Sequence, residues 1–529
     1  MPELPLEIWN NIAAALQLQP MQLGKYAPDS AFLARRACLR NLCLTSQKLL
    51  AAAQPWLYES VILYHNRDEP YKGPESLVQL LRSLAASPSL RRHIQHLACA
   101  FNLWPTRHDM KQPHDAVLHE WQAARSLFEG LPPPEKRLFD QAALFEPPAA
   151  QAQAQASQTQ APAPAPAPAP APVQAQAPHP RFFRVVDYTE HLNESQEPQK
   201  LLAILLCFAP KLQSLLIQGN SNSALPARPF SDLLEYFLMR GGVDQSPVLP
   251  LLSTIRLQPD RGAPPVFWAG LQVCQDILAH LPSLSRLDLW KTSYTMNSPP
   301  KWASRLEDIH VANDNDVGGI IGLMEQATAL RSLRIDCINA GRRYARPSTP
   351  QGDLNQALHQ HAATLVSLRL TGMTFNLQRQ GISLSSLPQL RRVEELEIEH
   401  QQLVSPGLSS GLVRVPDLLP PNLRRLKLLF LHGCNDHFDD FLLTFPLDLE
   451  VARSQGCFKR LQEIQLEVFS AAAQNDPKQM AALDNMQVAV IGQGCICTYA
   501  LNRGDWNADN MEPWALDLDE AWCVLLDKV

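Results

Sequence analysis

The chain has 529 residues, of which 46% are hydrophobic and 19% charged, with a formal net charge of −6. That length exceeds one ordinary core, so several domains or a repeat array are expected from a composition typical of folded proteins. The small negative net charge excludes binding driven by a concentrated basic surface, so no nucleic-acid partner is expected.

The first predicted element is a helix over residues 4–16, Leu4-Pro-Leu-Glu-Ile-Trp-Asn-Asn-Ile-Ala-Ala-Ala-Leu16. Pro5 suits a first helical turn, and Glu7 faces the positive end of the helix dipole. Ile8, Ile12 and Leu16 share one face at i, i+4, i+8. A second helical segment covers Leu39–Ala53 and is closed by Gln54-Pro55-Trp56-Leu57-Tyr58. Helices this short bury little alone, so the module needs a partner or a neighbouring domain to cover it.

These residues resemble the F-box. Leu4, Pro5, Glu7, Ile8, Ile12 and Leu16 match its opening; Leu39, Leu42, Cys43, Ser46 and Leu49 are similar to its middle helix; Pro55, Leu57 and Tyr58 match its end. The chain departs from the family in a longer connection, Gln17 to Arg36. The resemblance implies docking on a Skp-type adaptor of a cullin–RING ligase. The implied adaptor contacts are Leu4, Pro5, Ile8, Ile12, Leu16, Leu39, Leu42, Leu49, Pro55 and Leu57. The alternative is that residues 4–58 simply cap the end of the next domain.

From Ile94 onward a hexad of the form L-x-x-L-x-L, with other aliphatics allowed, recurs ten times. The hexads start at Ile94, Leu212, Leu252, Leu284, Leu306, Leu330, Leu365, Val393, Leu423 and Leu461. Apolar, helix-like segments precede several, such as Leu201–Phe208 and Val273–Leu281. The last three residues of each hexad alternate inward and outward, which predicts a short strand. A helix–strand unit cannot cover its own apolar face, and stacked neighbours solve this. Between the first two hexads lies a stretch from Pro147 to Pro180 without a charged side chain, containing six successive Ala-Pro pairs. Alternating proline removes amide donors and fixes φ, so this stretch is a spacer.

The hexads resemble those of the leucine-rich-repeat family, with a wider spacing of 22 to 40 residues from Leu212 onward. The expected fold class is therefore α/β: an irregular leucine-rich-repeat solenoid, parallel strands on the concave face and helices outside, behind a small all-α F-box-like module. The expected division is a module at 1–60, a first repeat at 61–101, an insertion at 102–195 containing the spacer, the solenoid at 196–500, and a tail at 501–529. Within the tail, Asp505–Trp522 carries six acidic residues and three tryptophans. It is read as a cap on the last repeat, with a partner-binding segment as the alternative.

The fifth residue of each hexad should line the concave face. The candidate substrate contacts are Arg256, Asp288, His310, Arg334, Arg369, Glu397 and Lys427. Arg334 and Arg369 fall side by side, with Arg331 nearby, and paired guanidinium forks suit a carboxylate or a phosphorylated degron. Ordinary solvated strand positions are the competing reading.

Nothing in the sequence calls for catalysis, a metal or a cofactor. Cys495 and Cys497 lack further ligands at zinc spacing and are read as buried thiols on a terminal strand continuing Val488–Ile491. His359 and His361 are assigned to a polar loop or helix end, and Asn313–Asp316 to a solvated loop. The eleven scattered cysteines suggest reduced thiols in the cytoplasm and/or nucleus. No secretory signal or membrane-length apolar run is recognised, so no membrane partner is expected. The resemblances together imply a non-catalytic substrate-recognition subunit of an SCF-type (Skp–cullin–F-box) ubiquitin ligase. A ligase-independent repeat scaffold and a cysteine-dependent enzyme are the alternatives.

Overall fold

The computed structural model describes residues 4–22, 25, 27–64, 72–100, 202, 205–206, 208–219, 249–259, 266–267, 278, 281–290, 292–293, 301–312, 317–336, 353–371, 384–403, 414–430, 435–469 and 477–502. The 147–180 spacer, most of the two helix-like segments before Leu212 and Leu284, Asn313–Asp316 and the Asp505–Trp522 tail lie outside these residues.

Three helices come first: α1 (Leu6–Ala15), α2 (Ser30–Thr45) and α3 (Gln47–Glu59). Pro5 is the N-cap of α1, where its missing amide costs nothing. Sequence periodicity predicts one helix from Leu39 to Ala53, but the chain breaks at Ser46. There the backbone is extended, and the Ser46 hydroxyl accepts a hydrogen bond from the Leu49 amide, starting α3. Helix α2 also begins earlier than expected, at Ser30, because the Asp29 carboxylate caps the Phe32 amide. Part of the long connection is thus helical.

The strands β1 (Ser60–Tyr64), β2 (His96–Ala100), β3 (Ser214–Gly219) and β4 (Thr254–Pro259) follow in order. After them come β5 (Val266–Phe267), β6 (Arg286–Trp290), β7 (Thr292–Ser293), β8 (Asp308–Ala312), β9 (Ser332–Asp336) and β10 (Ser367–Thr371). The last are β11 (Glu395–Glu399), β12 (Arg425–Phe430), β13 (Glu463–Phe469) and β14 (Ile496–Asn502). Strands β5 and β7 pair only with each other; the other strands form one twelve-stranded, open sheet in sequence order. Every pairing in it is parallel. Parallel neighbours require crossover connections. The described helices among them are α4 (Lys72–Ala86), α5 (Val317–Gln326), α6 (Leu354–Gln360), α7 (His400–Leu403), α8 (Asn435–Ser454) and α9 (Pro477–Gly492).

The hexads explain this register. Their aliphatic positions all face one core, and even Leu461 is only 3% exposed. At roughly 1.5–3 kcal/mol per buried aliphatic, a row becomes stable once its neighbours cover it. The fifth hexad residues align without a slip: Ala98, Leu216, Arg256, Asp288, His310, Arg334, Arg369, Glu397, Lys427 and Gln465. Because β2 pairs directly with β3, the chain leaves the sheet after Ala100 and returns to the adjacent row.

Two further rows extend the sheet, with Ile62 and Thr498 as their outward residues. They begin with Tyr58 and Gly494 rather than an aliphatic, which hid them from a hexad search. Val488–Ile491 does not continue a strand; it lies in α9, where Leu483, Met486 and Val490 are buried at helical spacing. The helix ends before Gly494, whose φ of +82° suits glycine.

Candidate functional site

Two surfaces carry candidate function: the outer side of α1–α3, and the face of the sheet away from the crossover helices. Helix α1 buries only Ala13. Its larger apolar residues stand outward, with Leu4 44%, Leu6 39%, Ile8 43% and Ile12 38% exposed. Leu33 and Leu44 on α2 are also exposed. Among the residues implied as adaptor contacts, Leu4, Pro5, Ile8 and Ile12 are on the surface, and Leu16, Leu42, Pro55 and Leu57 are half-buried. Leu39 and Leu49 require a correction. Both are buried, Leu39 within the module's own small core, and neither is presented on the surface to a partner. Leu6, Leu33 and Leu44 are exposed apolar residues that the resemblance did not include.

The connection after α1 is the fastening between module and sheet. Leu18 and Met21 are buried in a small core with Ala13, Phe32, Leu39 and Ala53. The sheet contributes Ile62, Ala98 and Leu216 to it, the apolar outward residues of β1–β3. Backbone carbonyls of the same segment are taken by the sheet's outward side chains. Ser60 Oγ donates to Gln19 O at 3.3 Å, Arg256 Nη1 to Met21 O at 2.7 Å, and Gln258 Nε2 to Lys25 O at 2.7 Å. Gln17 Nε2 donates to the buried Glu59 carboxylate at 2.9 Å. Burial pushes the Glu59 carboxyl above its ordinary pKa, although the Gln17 bond opposes this.

Arg256 and Asp288 therefore do not belong to a free substrate face. Arg256 Nε also donates to Asp288 Oδ2 at 3.0 Å, and Asp288 is buried, accepting from Arg286 Nε at 2.9 Å on its other oxygen. Past this point the face is open. A groove of about 630 Å3 runs from Arg286 on β6 to Gln465 on β13. It holds His310, Arg334, Arg369, Glu397 and Lys427, the remaining residues expected there.

Those side chains are wired to one another. Asp336, buried one residue beyond its hexad, accepts from Arg369 Nε (2.7 Å), Arg334 Nε (2.9 Å) and Thr371 Oγ1 (2.6 Å). His310 Nε2 lies 3.2 Å from the same carboxylate. Arg369 continues to Glu397 at 2.9 Å, and Lys427 bridges Glu397 (3.1 Å) and Glu467 (2.8 Å). Burial alone would raise the Asp336 carboxyl; Arg369, the His310 hydrogen bond and Arg334 outweigh it and hold the group well below the usual carboxylate range. Arg369 is pinned between two carboxylates at 15% side-chain exposure and is not a bare fork. Arg334 is different: Asp336 fixes its Nε, while its side chain remains 41% exposed.

The other candidates are structural. Cys495 and Cys497 are buried, before and on the terminal strand. Burial raises the Cys495 thiol despite nearby Arg453, and it pushes Cys497 to about 12. His361 caps α6 and is buried, its Nε2 2.8 Å from Met324 O. His359 lies in the last turn of the same helix. Among the described residues no group of His, Cys, Asp and Glu is arranged to hold a metal. No described helix is long and apolar enough to cross a membrane. No family model matches the chain, and no curated protein matches it in sequence.

Proposed function

We propose that the chain is the substrate-recognition subunit of an SCF-type (Skp–cullin–F-box) ubiquitin ligase, with an F-box-like module on a leucine-rich-repeat solenoid. The observation that carries this reading is the outward apolar face of α1. A surface helix of a folded protein turns its Leu and Ile toward the core. Here Leu4, Ile8 and Ile12, spaced i, i+4 and i+8, are exposed on a face turned away from Ala13, the residue of α1 that enters the small core. Exposed apolar residues in one patch mark an interaction site, and all three are positions at which the chain resembles the F-box. The groove on the sheet, separate from that helix, is the natural seat for a substrate. The chain itself performs no chemistry in this reading; it brings a protein to a ligase.

A specific observation favours a second reading, a ligase-independent scaffold: α1–α3 already cap the apolar outward residues Ile62, Ala98 and Leu216. Capping uses the inner side of the module and leaves its outer side free, so the two roles are compatible. Affinity purification of the tagged full chain with mass spectrometry separates them. The ligase reading predicts a Skp-type adaptor and a cullin in the wild-type eluate and their loss from Ile8→Asp/Ile12→Asp. Substrate candidates without any adaptor would leave only the scaffold.

A further inference from the structure

The first four rows of the sheet already hold a piece of polypeptide. Residues 17–22 lie on the outward face, burying Leu18 and Met21 against apolar row residues, and Lys25 reaches the same face. Their carbonyls are held by Ser60, Arg256 and Gln258. Arg256 shows the device most clearly. A buried carboxylate fixes its Nε, and the outer end of the fork, Nη1, holds a main-chain carbonyl.

Two other arginines share this construction where the groove is open. Arg286 has its Nε on Asp288 and Arg334 has its Nε on Asp336, each aspartate buried. Their side chains are 42% and 41% exposed. Among the described residues the outer nitrogens of both make no hydrogen bond or ion pair, although Asp308 lies near enough to Arg286 to act on its charge. A guanidinium held at one edge is preorganised, so little rotamer freedom is lost when its outer edge binds. From the covered to the open rows, the outward side chains change from Ile62, Ala98 and Leu216 to charged groups. Past β4 the aligned fifth hexad residues, from Asp288 to Gln465, are all polar or charged.

We propose that the open groove binds an extended, acidic peptide segment lying across the strands, its carbonyl and carboxylate oxygens held by the outer edges of Arg286 and Arg334. The proposal deepens the receptor reading and rests on it for the groove being a partner's seat. The row from β6 to β13 spans about 29 Å at ~4.8 Å per strand, matching about nine extended residues at ~3.3 Å each. A helical partner would instead need apolar anchors at i, i+3 and i+4, which this face does not offer.

The test is selection of a displayed random dodecapeptide library on the full chain, followed by affinity measurements on the enriched peptides as fluorescent synthetics. The expected peptides contain Asp or Glu and lack a helical apolar stripe. Arg286→Ala/Arg334→Ala weakens them by roughly tenfold or more, since charge-assisted bonds are lost. Arg334→Lys, which keeps the charge but not the fork, also weakens them, and circular dichroism verifies that each variant is folded. Ile8→Asp/Ile12→Asp leaves peptide affinity unchanged, so failure of adaptor binding and failure of the groove are read separately. No enrichment over a blank surface, equal binding by the arginine variants, or selection of amphipathic-helix sequences would each overturn the proposal.

Discussion

Replacing Asp336 by Asn probes the network under the groove. The substitution keeps the shape but removes the charge that faces Arg369, Arg334 and His310. Arg334 contributes little to the loss, because a side chain 41% exposed is screened by water. Arg369, at 15% exposure, loses the Asp336 charge and keeps its contact with Glu397. Breaking a buried pair by removing one partner costs about 3–5 kcal/mol; the surviving Glu397 contact and the amide's own acceptor place Asp336→Asn near the low end, about 3 kcal/mol. Urea unfolding followed by circular dichroism gives the value, provided m is unchanged. The pH dependence adds a second test. A carboxyl whose folded pKa is depressed contributes stability above its unfolded pKa, near 3.8, and loses it as pH falls through the lower folded value. The gap between wild type and variant should therefore stay constant from neutral pH to about 5 and narrow only in strong acid. A loss under about 1 kcal/mol, or a gap that closes between pH 7 and 5, would refute the idea that Asp336 organises this face.

Arg256→Ala removes the bond to the Met21 carbonyl and one of two cations on Asp288. It should cost about 2–4 kcal/mol and speed proteolysis within residues 17–25, as mapped by mass spectrometry. Glu59→Gln acts in the opposite sense. The wild-type carboxyl has a raised folded pKa, so its ionisation opposes folding and stability falls as pH rises through that range. The variant should gain stability over wild type at pH 7 and lose that advantage in acid, measured by the same urea midpoints. Cys495 and Cys497, buried and with raised thiol pKa values, should resist maleimide at pH 7.5 while the exposed Cys38 is labelled. Rapid labelling of either residue in the folded chain would contradict their structural role.

The register of the sheet was legible because each hexad repeats a local requirement: three aliphatics that face one core. A single slip would turn them outward. Where the first position is not aliphatic, at Tyr58 and Gly494, the rows were invisible. The connection at 17–36 looked like an insertion because its purpose lies in another part of the chain. Leu18 and Met21 gain meaning only beside Ile62, Ala98 and Leu216, which parallel crossovers bring together from distant positions. A sequence signal did exist: the outward residues Ala98 and Leu216 are apolar on a face that is otherwise polar, which announces a cover. Asp336 was overlooked for a related reason. It sits outside the hexad, and only the alignment of β9 with β10 places it beside Arg369 and Thr371. The pair Arg334 and Arg369 was located, but adjacency in a row does not reveal that one buried carboxylate engages both forks.

The central claim is that the outer face of α1 docks an adaptor while the sheet face serves a different partner. Titration calorimetry of the purified full chain with a purified Skp-type adaptor tests it most directly. Ile8 and Ile12 are 43% and 38% exposed, so Ile8→Asp/Ile12→Asp leaves the fold intact while placing two charges in an apolar contact. The account predicts saturable binding by the wild type, unchanged binding by Arg334→Ala, and at least about a hundredfold loss for the α1 variant. Adaptor binding that survives Ile8→Asp/Ile12→Asp, or a wild-type chain that binds no adaptor at all, would contradict it.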